Sequence, residues 1–144
     1  MQAPVPPTRP SSTRPATWPS LLLLLLGTLF FTAIWIMLAV YAGKPCGWMA
    51  VLAALDAALM LRMGGMPRGA NRAILAVLAT LAMIALVNWG TAATQIGIAM
   101  GLNPWDSALK LGMDYAWTLA GLANQTADLV WMGLALVIAA IAAR

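Results

Sequence analysis

The sequence is poor in charge and in reactive side chains. Its 144 residues include no histidine, one cysteine, four acidic residues and eight basic ones. The lack of histidine removes the commonest ligand of haem and zinc, and Cys46 alone cannot hold an iron–sulfur cluster or close an internal disulfide. The sequence also offers no nucleophile paired with a base. We therefore predict no cofactor, no bound metal and no enzyme activity.

Apolar residues dominate the chain. Hydrophobic residues make up 62% of it and charged residues 8%, whereas roughly a quarter of the residues are charged in an ordinary soluble domain. Four apolar stretches lie at residues 21–41, 46–61, 73–100 and 127–143. A helix of about 20 residues crosses the hydrocarbon core of a bilayer. We predict an all-α polytopic membrane protein whose residues 21–144 form four transmembrane helices.

The first 20 residues differ from the rest, since they hold six of the nine prolines. Such a composition builds no core and favours extended backbone. We interpret residues 1–20 as a Pro-rich cytoplasmic tail. The spacing of Pro4, Pro7 and Pro10 leaves open a second interpretation, a groove-binding face for a partner.

The basic residues divide between the two sides of a four-helix layout. One side carries Arg9, Arg14, Arg62, Arg68, Arg72 and Arg144, and the other carries Lys44 and Lys110. Positive charge is retained in the cytoplasm, so both termini and the basic loop of Arg62, Arg68 and Arg72 are predicted there. We expect an integral protein of a bacterial inner membrane. The high pI then reflects topology and anionic lipid, and no nucleic-acid partner is predicted.

Residues 104–122 predict one amphipathic helix on the outer membrane surface. Pro104 suits a first helical position, and Asp106, Lys110 and Asp114 recur every four residues on one polar face. A partial re-entrant segment is the alternative. Aromatic residues fall near the same boundary, as an interfacial belt would: Tyr41, Trp48, Trp105, Tyr115, Trp117 and Trp131.

Four polar residues within the apolar stretches form the candidate intramembrane site: Asp56, Asn88, Thr91 and Gln95. A carboxylate at the bilayer centre costs about 2.5 to 3.5 kcal/mol, so Asp56 requires a partner or water. Counting residues from the helix ends places Asp56 and Asn88 at similar depth, where they could meet. These residues could form hydrogen bonds between helices, or they could line a path for a proton, a cation or a small polar solute.

Met60, Met63 and Met66 recur every three residues. Thioether sulfur suits Cu(I), but methionine is also an adaptable filler of apolar cores. No cysteine or histidine joins the set, and we interpret it as packing.

Two functions fit these features. The first is a noncatalytic small integral membrane subunit, which packs within a larger inner-membrane assembly or against copies of itself. Small size and the lack of cofactor ligands favour it. The alternative is a small channel or transporter that uses Asp56 and the polar face of the third helix.

Overall fold

The computed structural model describes residues 17–144, and within this range the chain folds into helices without strands. The helices are α1 (Thr17–Ala42), α2 (Met49–Met63), α3 (Ala70–Met100), α4 (Pro104–Lys110), α5 (Met113–Ala123) and α6 (Thr126–Ala142). The predicted all-α class is confirmed. Most of the predicted tail, including Arg9 and Arg14, lies outside the described residues.

Two helices, α1 and α3, are long and apolar enough to cross a membrane, and 18-residue stretches within them have mean hydropathies of 2.6 and 2.1. They contain 26 and 31 residues, whereas α2 contains 15 and α6 contains 17. Helices α5 and α6 would reach a spanning length together, but the chain bends by 106° between them. Taken singly, α2 and α6 are shorter than the about 20 residues that cross the hydrocarbon core of a bilayer.

Helices α2 and α3 form the centre of the bundle. They contact each other, and both of them also contact α1 and α6. Close packing is possible because α2 presents alanines, of which Ala50, Ala53, Ala54 and Ala57 are fully buried. Small side chains of this kind let helix backbones approach closely. The alanine faces of α2 are therefore its packing faces.

Contacts at the two ends of the bundle show that its helices run antiparallel. At one end the start of α1 meets the end of α2, where Gly64 packs against Ser20, and Arg72 of α3 binds the end of α6. We call this end, which carries Arg62, Arg68, Arg72 and Arg144, the arginine end. At the other end Gly47 contacts Asp128. We call that end, which carries Lys44 and Lys110, the lysine end.

The prediction of one amphipathic helix over residues 104–122 is wrong. The structure has two helices, α4 and α5, because Leu111 and Gly112 are extended, with ψ of 107° and 154°. Leu111 is buried in a small core with Ala93 of α3, and both α4 and α5 pack on α3. Burying Leu111 interrupts the four-residue repeat. Asp106, Lys110 and Asp114 remain exposed.

Aromatic residues at the lysine end are either exposed or turned toward the interior of the protein. The six that were predicted to form a belt are exposed: Tyr41, Trp48, Trp105, Tyr115, Trp117 and Trp131. Trp35 and Trp89 point inward instead, and their indole N–H groups donate to the carbonyl oxygens of Pro45 (3.1 Å) and Ala108 (3.2 Å). The first bond attaches the turn between α1 and α2 to α1. The second attaches α4 to α3.

Candidate functional site

Two adjoining cavities lie at the lysine end, with volumes of about 250 and 480 Å³. We call them the inner and the outer cavity. Both are lined by Pro45, Thr91, Gln95 and Ala123. The inner cavity is also lined by Trp35, Val87, Asn88, Ala92, Ile96, Leu119, Ala120, Leu122 and Met132. The outer cavity is also lined by Gly43, Lys44, Cys46, Gly47, Trp48, Gln125, Ala127, Asp128 and Trp131. Lys44, Trp48 and Gln125 are exposed, so the outer cavity opens to the surface.

Helix α3 supplies a polar wall to these cavities. Three of the four residues of the candidate intramembrane site lie there, Asn88, Thr91 and Gln95. They share one side of α3 because successive members are three and four residues apart, close to the 3.6-residue period of a helix. Thr91 is 8% exposed, and its hydroxyl has no hydrogen-bond partner within residues 17–144. Gln95 is exposed.

Asn88 joins α3 to the junction of α5 and α6. Its Oδ1 accepts a hydrogen bond of 2.6 Å from Nδ2 of Asn124, and its own Nδ2 donates to the carbonyl of Ile84 at 2.9 Å. Thr80 and Thr94 bond to carbonyls four residues earlier in α3. These three residues thus have hydrogen-bond partners, whereas the hydroxyl of the cavity-lining Thr91 has none within residues 17–144.

Asp56 lies away from the cavities, and no hydrogen bond joins it to Asn88, the residue at similar depth that it could have met. Asp56 is half-buried and faces α1, where a Cβ built on Gly27 would lie 3.4 Å from its Oδ2. Within residues 17–144 this buried oxygen has no hydrogen-bond partner. Residue counting gives the depth of a side chain but not its direction, and the rotation of α2 turns Asp56 toward α1.

Asp128 is the acidic residue of the outer cavity, and main-chain groups hold it in place. Its Oδ1 accepts from the Gly47 N–H (2.9 Å), and its Oδ2 accepts from the Gln125 N–H (3.2 Å). The second bond belongs to a capping box at the start of α6. Each oxygen keeps a free lone pair, since a carboxylate accepts about four hydrogen bonds.

Arg72, predicted as part of a cytoplasmic basic loop, is 4% exposed. Its guanidinium donates to the main-chain oxygens of Ala143, Met66 (3.2 Å) and Arg144 (3.3 Å). Carbonyl groups at a helix C-terminus lack partners within the helix and carry partial negative charge. Arg72 therefore caps α6 and ties it to the loop between α2 and α3. Arg62 and Arg68 are exposed.

The three methionines of the copper alternative have different surroundings. Met60 and Met66 are partly buried against the main core, whereas Met63 is 66% exposed. Met60 also lies over Gly27. The positions of Met60 and Met66 agree with methionine acting as packing material.

Sequence reasoning missed three residues of this region, Gly47, Asn124 and Asp128. Asp128 had a local signal, because it follows Gln125 at the spacing of a capping box. The partners of Gly47 and Asn124 lie 81 and 36 residues away and leave no local signal.

Hydroxyl, amide, carboxylate, ammonium and indole groups at the cavities suit the binding of a polar molecule. Comparison with known protein families, with curated protein sequences and with solved structures finds no match to this chain.

Proposed function

We propose that this protein is a noncatalytic integral membrane subunit with four crossing helices, which packs within a larger inner-membrane assembly or against copies of itself. Helices α1 and α3 have the length and apolarity of membrane spans. Helices α2 and α6 run beside them between the same two ends of the bundle. Short spans are accommodated in a membrane by local thinning and by polar residues at their ends.

The orientation follows from the distribution of basic residues. The arginine end combines Arg62, Arg68, Arg72 and Arg144, and the lysine end has two basic residues, Lys44 and Lys110. Retention of positive charge places the arginine end in the cytoplasm. The exposed aromatic residues of the lysine end then lie near the outer interface, where their amphipathic rings are favoured.

The observation that carries this proposal is the position of Asp56. It lies in the middle of α2, among side chains that are apolar and exposed: Leu52, Leu55, Leu59 and Met63. The residue is half-buried, and within residues 17–144 its Oδ2 has no hydrogen-bond partner. In hydrocarbon such a carboxyl group is costly. Oδ2 is buried against α1, so a hydrogen-bond donor on a helix of a neighbouring subunit would lower that cost by reaching the part of Asp56 that remains exposed, and the apolar side chains would pack around the contact.

Removal of Asp56 is expected to separate the protein from its assembly without unfolding it. In mild detergent, wild-type protein should elute as part of a complex larger than one chain. Asp56→Leu should elute at the size of a single chain, with unchanged helix content, because leucine removes the polar contact and suits an apolar surface. Size-exclusion chromatography with light scattering and circular dichroism measure both quantities.

Asp114→Leu is the matched control, since Asp114 is an exposed acid on α5. It should leave the complex intact. A wild-type protein that is a monodisperse monomer in mild detergent would contradict the proposal. An Asp56→Leu complex of wild-type size would show that Asp56 does not form the contact.

A second candidate function is a small channel or transporter. It is favoured by the polar wall of Thr91 and Gln95 at the two lysine-end cavities. Beyond these cavities, toward the arginine end, the bundle is filled by Thr80, Met83 and Leu61, which are fully buried. Transport would require these side chains to separate. Flux into proteoliposomes that is abolished by Asp56→Asn or by Gln95→Leu would support this candidate.

A further inference from the structure

We propose that the two lysine-end cavities bind a zwitterionic molecule, which places an ammonium group and an anionic group in the outer cavity and an apolar group in the inner one. The inference goes beyond the subunit function and does not depend on it. It rests on a hydroxyl without a partner, on the two charged residues of the outer cavity and on the contrast between the two linings.

Thr91 provides the first observation. Its side chain lies in the wall shared by both cavities and is more than nine-tenths buried. Within residues 17–144 its hydroxyl has no hydrogen-bond partner. A buried polar group without a partner destabilises a protein. Because the Thr91 oxygen is covered in the unliganded protein, a ligand reaches it when the side chain rotates toward the cavity, and the new hydrogen bond then relieves that cost. The neighbouring Gln95 adds an amide with both donors and an acceptor.

Charge in the outer cavity provides the second observation. Its lining contains one carboxylate, Asp128, and one ammonium group, Lys44. Asp128 is held by two N–H groups and keeps lone pairs to accept from a ligand ammonium. Lys44 is exposed and can reach an anionic group. Trp48 and Trp131 also line this cavity, and indole faces attract cations. A ligand with both charges can pair with both residues. A simple cation would be repelled by Lys44, and a simple anion would be repelled by Asp128.

The inner cavity provides the third observation. No charged residue is among its lining residues, all of which lie in the described part of the chain, and apolar side chains such as Val87, Ile96, Leu119 and Met132 form most of its wall. It adjoins the charged cavity, since four lining residues are shared. The occupant is therefore expected to carry an apolar group next to its charges. A free apolar amino acid and an aminophospholipid with its acyl chains both have this chemistry.

Binding is measured on the purified full chain in detergent, by thermal unfolding and by titration of tryptophan fluorescence. The probes are L-leucine, dihexanoyl phosphatidylethanolamine and, as the probe without an ammonium group, dihexanoyl phosphatidylglycerol. At least one of the first two should bind saturably and raise Tm, since a ligand that binds the folded state stabilises it. Binding of leucine alone assigns the site to a soluble ligand, and binding of the ethanolamine lipid alone assigns it to a lipid.

Two variants test the residues. Thr91→Val should leave the Tm of the unliganded protein equal or higher, because the lost hydroxyl has no partner, and should weaken binding about three- to tenfold. Lys44→Gln changes an exposed side chain and should weaken binding by a similar factor. Thr94→Val is the matched control, because the Thr94 hydroxyl bonds to Gly90 within α3 and Thr94 does not line either cavity. Its affinity should equal that of wild type.

Three results would overturn the proposal. In the first, neither leucine nor the ethanolamine lipid binds. In the second, phosphatidylglycerol binds as tightly as phosphatidylethanolamine, so that the site does not recognise ammonium. In the third, Thr91→Val and Lys44→Gln both bind with wild-type affinity. Each result leaves the test of the subunit function unchanged, since that test concerns Asp56 and the size of the complex.

Discussion

Arg72→Met is expected to cause a large loss of stability, with α6 detaching at the arginine end. The guanidinium of Arg72 donates to main-chain oxygens of Ala143, Met66 and Arg144. A hydrogen bond that involves a charged group contributes about 1.5 to 3 kcal/mol, and buried acceptors left without donors add a cost. We therefore expect a loss of about 3 kcal/mol or more. Thermal unfolding in detergent measures it, and hydrogen exchange should show faster exchange in the last turns of α6.

Two further variants separate geometry from charge. Arg72→Lys keeps the charge but places its donors on one nitrogen, so it should recover part of the stability and not all of it. Arg68→Met removes an exposed arginine from the neighbouring loop between α2 and α3 and should change Tm little. Equal Tm values for Arg72→Met and Arg68→Met would show that the cap on α6 contributes nothing.

Gly64→Ala is expected to have the second large effect, because it opens the contact between α1 and α2. Gly64 follows α2 with φ of −69°, which alanine adopts without strain. An added Cβ, however, would overlap the Cα and Cβ of Ser20. Backbone cannot rotate away as a flexible side chain does, so α1 must shift. Overpacking of this kind costs about 1 to 3 kcal/mol, and we expect the upper part of that range.

Gly133→Ala is the control for Gly64→Ala. Gly133 lies within α6, and nothing approaches within 4 Å of the position of an added Cβ. Alanine should stabilise that helix by about 0.5 to 1 kcal/mol, because glycine has more conformational freedom to lose. The two substitutions should therefore shift Tm in opposite directions. If Tm fell by a similar amount in both variants, the effect of Gly64→Ala would come from alanine in general and not from the contact with Ser20.

Helix positions were predictable to a large extent from the sequence. The four apolar stretches correspond to α1, α2, α3 and α6, and proline and glycine mark the turns between them. The placement of the two lysines opposite the arginines also follows from counting helices along the chain. The shared polar side of Asn88, Thr91 and Gln95 follows from the periodicity of one helix. Each of these features depends on neighbours in sequence.

The candidate site was predicted in part. Three of its residues line the cavities, but the fourth, Asp56, faces α1. Several alanines of α2 look alike in sequence, and all are buried, so the pattern does not fix how α2 is rotated against its neighbours. The break between α4 and α5 was missed for a similar reason. The polar repeat through Lys110 and Asp114 favours one helix, and the burial of Leu111 against α3 overrides it.

The sequence by itself determined the helical class, the two helices with the length and apolarity of spans, and the separation of arginine from lysine. These properties are set by composition and by the 3.6-residue period of a helix. Tertiary structure alone decided the partners of Arg72, Asn88 and Asp128, because each bonds to groups that are distant along the chain. It also decided the cavities, since a cavity is the space left by helices whose rotation and spacing depend on all of their contacts.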